Sequence, residues 1–389
     1  MLGALQDFLA GWSGLRQFKS VPRAERRVVI YSEGGGYWTY FGSIYTAFRA
    51  ISDEPVLYVT SKADDPLLQN PLSGMRSFYV GMDSARTIFF ASLDVDLLLM
   101  TMPDLQTFHI KRSLNPVHYV YTHHSLVSTH MTYLPGAFDH FDTVFCAGPH
   151  HCAEIRAREA LCNLPAKELI PHGYGRLDDI LATESAGPLE RSPQDPPHVL
   201  LAPSWGERGF LEEYGATAVQ SLLSSNLRVT VRPHPRTLQF HAPHIMQMAE
   251  RHCNNPSFSL DTDFNSHASL QSADLMISDW SGAAIEYALG FERPVIFIDT
   301  PPKMRNPDYA ALNLSPLEIF IREKIGIIHP LEKLDDLGAS ACEVIAHAGQ
   351  WQSLIRTERA RWVYNCGQSG HAAATYLRDW LLQHPPKHH

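Results

Sequence analysis

Three short segments carry residue types whose spacing suits phosphate chemistry. Val229-Thr230-Val231-Arg232-Pro233-His234-Pro235-Arg236 is a β-rich run whose carboxyl end leads at once into two arginines and a histidine, held extended by prolines. Arginine matches phosphate oxygens bidentately, and histidine donates a hydrogen bond or a proton to a leaving phosphate. Leu275-Met276-Ile277-Ser278-Asp279-Trp280-Ser281-Gly282 reads as a strand feeding a helix over Ala283 to Leu289, with Ser281 as its N-cap. Free N–H groups and the positive end of the helix dipole make such a turn an anion site, and Gly282 lets a phosphate approach the backbone. Glu286, about one turn into the helix, is placed to accept hydrogen bonds from a ribose. A third strand end, Leu201-Ala202-Pro203-Ser204-Trp205-Gly206, points Ser204 and its backbone to the same place. Each of these features also has a plain reading, as an ordinary capped helix or a turn histidine.

A different chemistry is suggested by Val117-His118-Tyr119-Val120-Tyr121-Thr122, which runs straight into His123-His124-Ser125. An imidazole at a strand end titrates near neutrality and suits general-base work on a hydroxyl. Adjacent residues on an extended chain diverge, and His150, His151 and Cys152 lack a clear fourth ligand, so no metal site is assigned. The first β-turn, Ser32-Glu33-Gly34-Gly35-Gly36, precedes a helix and can cradle a phosphate or admit an acceptor chain. It lacks Gly-x-Gly-x-x-Gly spacing and a Walker lysine, and no Gly-x-Ser-x-Gly or His-Glu-x-x-His motif occurs, which removes dinucleotide, P-loop and the corresponding hydrolase readings.

The elements that must position these residues alternate. Strand candidates Val28–Tyr31, Val56–Thr60, Ser77–Val80, Leu97–Met100, Val117–Thr122 and Thr143–Ala147 are separated by helical patterns such as Tyr37 to Ala50, which predicts βαβ units and a parallel sheet. Glu184 to Pro197 is polar and proline-rich and reads as a linker. The alternation restarts with Val199–Ala202, Val229–Val231, Leu275–Ile277 and Val295–Ile298. The expected fold is therefore α/β: two Rossmann-like, doubly wound domains facing a cleft. Expected boundaries are 1–27 for an N-terminal amphipathic helix and basic segment, 28–183 for the first domain, 184–197 for the linker and 198–389 for the second.

Composition limits the function classes. The 389 residues are 44% hydrophobic and 19% charged, which describes a folded, enzyme-sized chain. A net charge of -9 argues against a nucleic-acid partner, and six widely spaced cysteines are no disulfide framework. Asp94 and Asp96 interrupt the best candidate for a spanning segment, and the opening lacks a secretory signal. Leu2, Leu5, Phe8, Leu9, Trp12, Leu15 and Phe18 recur at helical spacing, followed by Arg16, Lys19, Arg23, Arg26 and Arg27. Two readings fit: a helix packed on its own domain, or an interfacial helix with a basic edge that rests on a membrane.

Taken in order, His124, Gly173-Tyr174-Gly175-Arg176-Leu177-Asp178, Ala202-Pro203-Ser204-Trp205, Arg232-Pro233-His234-Pro235, Ser278-Asp279-Trp280-Ser281 and Arg293-Pro294-Val295-Ile296-Phe297 resemble one family, the CDP-glycerol glycerophosphotransferases of teichoic-acid and capsule synthesis. The resemblance implies the two-domain glycosyltransferase B architecture, and transfer of a polyol phosphate from a CDP-activated donor to a hydroxyl of a lipid-linked or polymeric glycan, releasing CMP. It places the family's two histidines on His124, with His123 the alternative register, and on His234. The donor would lie over Ser204, Arg232, Arg236, Ser278, Asp279, Ser281, Gly282 and Glu286, and His123 with Glu33, Gly34, Gly35 and Gly36 would form an acceptor or phosphate site. Two departures stand out: the usual Trp-His-Gly-Thr reads His123-His124-Ser125-Leu126, and the second serine of the turn is Gly282. The same turn is similar to the Ser-Gly-Gly-x-x-Glu region of UDP-N-acetylglucosamine 2-epimerases, so nucleotide-sugar transfer or epimerisation is the alternative, with a non-catalytic glycan- or nucleotide-binding protein as the third reading. By resemblance, the segment Asn365 to Leu382 packs back toward the first domain. No tightly bound cofactor is expected, Mg2+ dependence is left open, and the location implied is cytoplasmic, peripheral on the inner membrane face through residues 1–27.

Overall fold

The computed structural model describes residues 2–107, 110–185, 195–206, 209–263 and 266–386. The chain divides into two compact units. The first comprises Met1–Asp179, Arg305–Leu314 and Trp362–His389, the second Ile180–Met304 and Ser315–Arg361.

Seven parallel strands form the sheet of the first unit: β1 Val28–Ser32, β2 Val56–Thr60, β3 Met75–Tyr79, β4 Leu97–Met100, β5 His118–Thr122, β6 Thr143–Cys146 and β7 Glu168–Pro171, in the order β3-β2-β1-β4-β5-β6-β7. Val28 of β1 lies opposite Val56 on one side and Leu97 on the other. β1, β2, β4 and β6 are buried at every position, as strands covered on both faces must be. Their apolar runs were therefore conspicuous in the sequence.

The helix Leu2–Ser20 is part of this unit rather than a separate segment. Its second half is core: Leu15 and Phe18 are buried, and Phe18 meets Phe78 and Phe89 edge-on at 5.6 and 5.1 Å. Gly14 sits against the Tyr79 backbone, where any Cβ would collide with the carbonyl. Most of the expected basic edge is also spent internally. Arg23 pairs with Asp94 and Asp96, Arg26 donates to the Val21 and Lys19 carbonyls, and Arg27 is buried against Asp96, Glu54 and the carbonyls of Leu381 and His384. Only Arg16 and Lys19 remain exposed among these five.

The last segment of 198–389 joins the first unit. The C-terminal helix Ser369–Gln383 buries Ala373, Ala374, Leu377 and Leu381 in one core with Ile44 and Phe48 of the helix Gly42–Ile51, which fixes it to the first unit. The boundary falls after Asp179, within the helix Gly175–Ser185, rather than at a linker. Residues 186–194 of the expected linker lie outside the described residues.

The second unit holds six parallel strands: β8 His198–Leu201, β9 Arg228–Val231, β10 Phe258–Leu260, β11 Leu275–Ser278, β12 Val295–Ile298 and β13 Gly326–His329, ordered β10-β9-β8-β11-β12-β13. The helix Phe210–Ser224 packs Val219 and Leu222 on Val229, Val231 and Ile277. In both sheets the candidate residues follow strand carboxyl ends, where open α/β sheets bind ligands.

Candidate active site

In the second unit, the carboxyl ends of β8, β9 and β11 bring together an electropositive corner. Pro235 occupies the first turn of the helix Pro235–Arg251, and His234 is its cap: Nδ1 accepts the Arg236 backbone N–H at 3.1 Å. That bond leaves the proton of the neutral ring on Nε2, a donor. Burial, then the charges of Arg236 and Lys303, hold the His234 pKa below its ordinary value, against the pull of Asp279. Arg236 is exposed, with its guanidinium 4.1 Å from the Trp205 ring centroid. Ser281 caps the ten-residue helix Gly282–Phe291 by accepting the Ala283 N–H at 3.3 Å. Two helix amino ends and two cations thus contribute to this corner.

Four of the expected donor residues make hydrogen bonds within the fold. Ser278 is buried and donates to the Ala202 carbonyl at 2.8 Å, tying β11 to the β8 loop. Asp279 is buried and accepts both the N–H and the hydroxyl of Ser204, at 2.7 and 2.8 Å, so Asp279 and Ser204 shape the loop together. Arg232 is paired with Asp261 and also donates to Ser269. Glu286 is buried one turn along its helix. The sequence reading missed Lys303. Its ammonium donates to Ser204 Oγ, to the Trp205 carbonyl at 3.0 Å and to Asp279 at 3.1 Å, while staying 37% exposed.

In the first unit, His124 follows β5 and sits in a cage of tyrosines. The ring centroids of Tyr37, Tyr40 and Tyr133 lie 6.0, 6.1 and 5.9 Å from it. His124 Nδ1 is 3.0 Å from the Thr101 carbonyl, which can only accept, so Nδ1 carries the proton and Nε2 the lone pair. Burial lowers the His124 pKa to about 4, partly offset by that bond, and the ring is neutral at pH 7. Glu33 is mostly buried beside Tyr31 and Tyr37, which raises its pKa.

His123 does not belong to this site. It is 2% exposed and stacks on His151 with ring centroids 3.7 Å apart, where burial keeps it neutral. His150 and His151 tie the following loop to its neighbouring helix through the Leu126 and Val127 carbonyls, both at 2.9 Å. The Gly34-Gly35-Gly36 turn winds into a 3-10 helix, Gly35–Tyr40, and Gly34 and Gly35 press on Lys62 and Pro66. Close packing accounts for those two glycines, and the buried acid Glu33 disfavours a phosphate there. Among the described residues no group of three or more His, Cys, Asp or Glu is arranged around a common metal position.

Comparison with known proteins follows the same lines. The fold is similar to that of the wall teichoic acid polymerase TagF, with a TM-score of 0.58, 13% identity and 96% of this chain covering 94% of that one. A Listeria monocytogenes protein described as a UDP-N-acetylglucosamine 2-epimerase gives 0.60 at 13% identity, covering 92% and 96%. The Neisseria meningitidis UDP-GlcNAc 2-epimerase gives 0.57 at 11%, covering 92% and 100%. No curated protein matches the sequence. Two parallel-sheet α/β units of this kind resemble the glycosyltransferase B fold. Residues 113–300 match the model of the CDP-glycerol:poly(glycerophosphate) glycerophosphotransferase family, to which this segment of the chain is similar.

Proposed function

We propose that this enzyme transfers glycerol phosphate, or a related polyol phosphate, from a CDP-activated donor to a hydroxyl of a lipid-linked or polymeric glycan. His124 Nε2 takes the proton of the acceptor hydroxyl as its oxygen attacks the β-phosphorus. The bond from the β-phosphorus to the bridging oxygen breaks, and CMP leaves with that oxygen on its phosphate. His234 Nε2–H, Lys303, Arg236 and the helix amino end at Ser281 stabilise the charge that develops there. The observation that carries this reading is the opposite fixing of two histidines: His124 presents a lone pair through its bond to Thr101, and His234 presents a proton through its bond to Arg236.

The test is CMP release from CDP-glycerol coupled to formation of a phosphodiester, followed by 31P NMR with a glycan or lipid-linked glycan acceptor. Turnover of UDP-N-acetylglucosamine in place of CDP-glycerol would contradict the reading and favour nucleotide-sugar chemistry.

We further propose a cytoplasmic enzyme that touches the inner membrane face through the first half of the helix Leu2–Ser20. Leu5, Phe8 and Leu9 are 56%, 40% and 58% exposed there. No described helix is long and apolar enough to cross a membrane. Changing these three residues to serine should abolish flotation with anionic vesicles while leaving the Leu15 and Phe18 core intact; unchanged flotation would sink the proposal.

A further inference from the structure

We infer a second ligand site in the first unit, a cavity of about 160 Å³ that takes a small amphiphilic primary amine. Its walls are apolar, with Leu134, Ala137, Phe138, Ile155 and Leu312 among the lining residues. The buried acid among its lining residues is Glu154, only 2% exposed. Thr129 donates both its N–H and its hydroxyl to Glu154 Oε2 at 2.6 Å each, which holds the carboxylate in place. Oε1 accepts no hydrogen bond, and its nearest charged or titratable neighbour is His130 Nδ1 at 3.4 Å. A buried carboxylate oxygen left without a donor costs free energy that an arriving donor recovers.

Charge selects the ligand. Of the two cations in the lining, Arg158 is paired with Asp139 at 2.7 Å and Lys167 with Glu159 at 3.6 Å. Glu154 and Asp308 are the remaining acids of the lining, so its formal balance is negative and a carboxylate or phosphate is disfavoured. Size limits the rest: a cavity of roughly 150 Å³ holds a molecule the size of benzene, so about six heavy atoms fit. An ammonium bound to Oε1 with a four- to six-carbon body against the apolar wall satisfies both, at about that size.

The cavity contains none of the residues assigned to donor or acceptor chemistry, so its failure leaves the transferase reading standing. The test uses the full chain, titrated with n-butylammonium, 1-butanol and butyrate by ligand-observed NMR, with and without CDP-glycerol. The amine should bind about tenfold more tightly than the alcohol, as a charge-assisted bond does over a neutral one, and butyrate should not bind. Glu154→Gln should erase the preference for the amine. Ala311→Trp, at an exposed position on the cavity lining, should block all three probes without touching the carboxylate. No binding of the amine, equal binding of amine and butyrate, or unchanged binding in Ala311→Trp would each overturn the site.

Discussion

His124 Nδ1 and the Thr101 carbonyl oxygen stand 3.0 Å apart, and this one contact decides which nitrogen of the ring can accept a proton. Asparagine in place of His124 can keep the bond to Thr101 but has no base. His124→Asn and His124→Ala should therefore both lower kcat by about 10²- to 10⁴-fold, the usual weight of a general base. Donor affinity, measured by calorimetry with CDP-glycerol, should be unchanged. A loss of donor binding in His124→Asn would argue against the assignment.

His234 should behave in the opposite way. Its role is donation from Nε2, and a glutamine amide can reach a similar position with an N–H. His234→Ala should cut kcat sharply, and His234→Gln should recover part of the loss; equal kcat values in the two variants would contradict a donor role.

Lys303 was not visible from sequence. It lies 99 residues from Ser204 and 24 from Asp279, and nothing local in Thr300-Pro301-Pro302-Lys303 announces those contacts. Lys303→Met should raise the KM for the CDP donor by about 10- to 100-fold, the worth of a hydrogen bond to a charged group, and should flatten its salt dependence. A changed acceptor KM with an unchanged donor KM would remove Lys303 from the donor site.

What could be read ahead of the structure follows from burial. The strands that were read include β1, β2, β4, β6, β8, β11 and β12, each buried at every position, so their sequences are largely apolar, with serine, threonine or histidine only at their ends. The strands missed were β7, β10 and β13, all at sheet edges. There Glu-Leu-Ile-Pro and Phe-Ser-Leu are half-exposed, and Gly-Ile-Ile-His has only two apolar side chains between a glycine and a histidine, so the hydrophobic signal fades. At the site, the strand-end histidines and the Ser281 cap were legible because they are local. The pairing of Arg232 with Asp261 and the tyrosine cage around His124 were not, because they depend on distant strands and loops meeting.

Acid should unfold the protein early. Burial lowers the pKa values of His123, His124, His151 and His172, with His124 and His172 at about 4. Unfolding restores a value near 6.5, so the unfolded chain binds more protons below that pH. Their stabilising effect is full above pH 6.5 and is lost as pH falls toward 4. Urea midpoints should drop between pH 7.5 and 5, while turnover shows no acid limb at 6.5 from His124. Midpoints that stay flat over that range would refute the buried, neutral state of these rings.

Arg27 offers a stability test of a different kind. Its guanidinium meets Asp96 at 2.9 Å and Glu54 at 2.7 Å, and also holds the end of the C-terminal helix through two carbonyls. Arg27→Met should cost about 1–3 kcal/mol in chemical denaturation, because it removes charge-assisted bonds to the partly buried Asp96 and Glu54 and leaves the buried Leu381 carbonyl without its donor. A cost below about 1 kcal/mol would mean that the pair is no more than a surface contact.

The most direct measurement of the central claim is 31P NMR of the reaction of CDP-glycerol with a glycan acceptor, run with wild type and His124→Asn. Matched growth of CMP and of a phosphodiester signal in the wild type, and neither in the variant, is the expected result. CMP release without a phosphodiester, or equal turnover by the variant, would contradict a glycerophosphotransferase that uses His124 as its base.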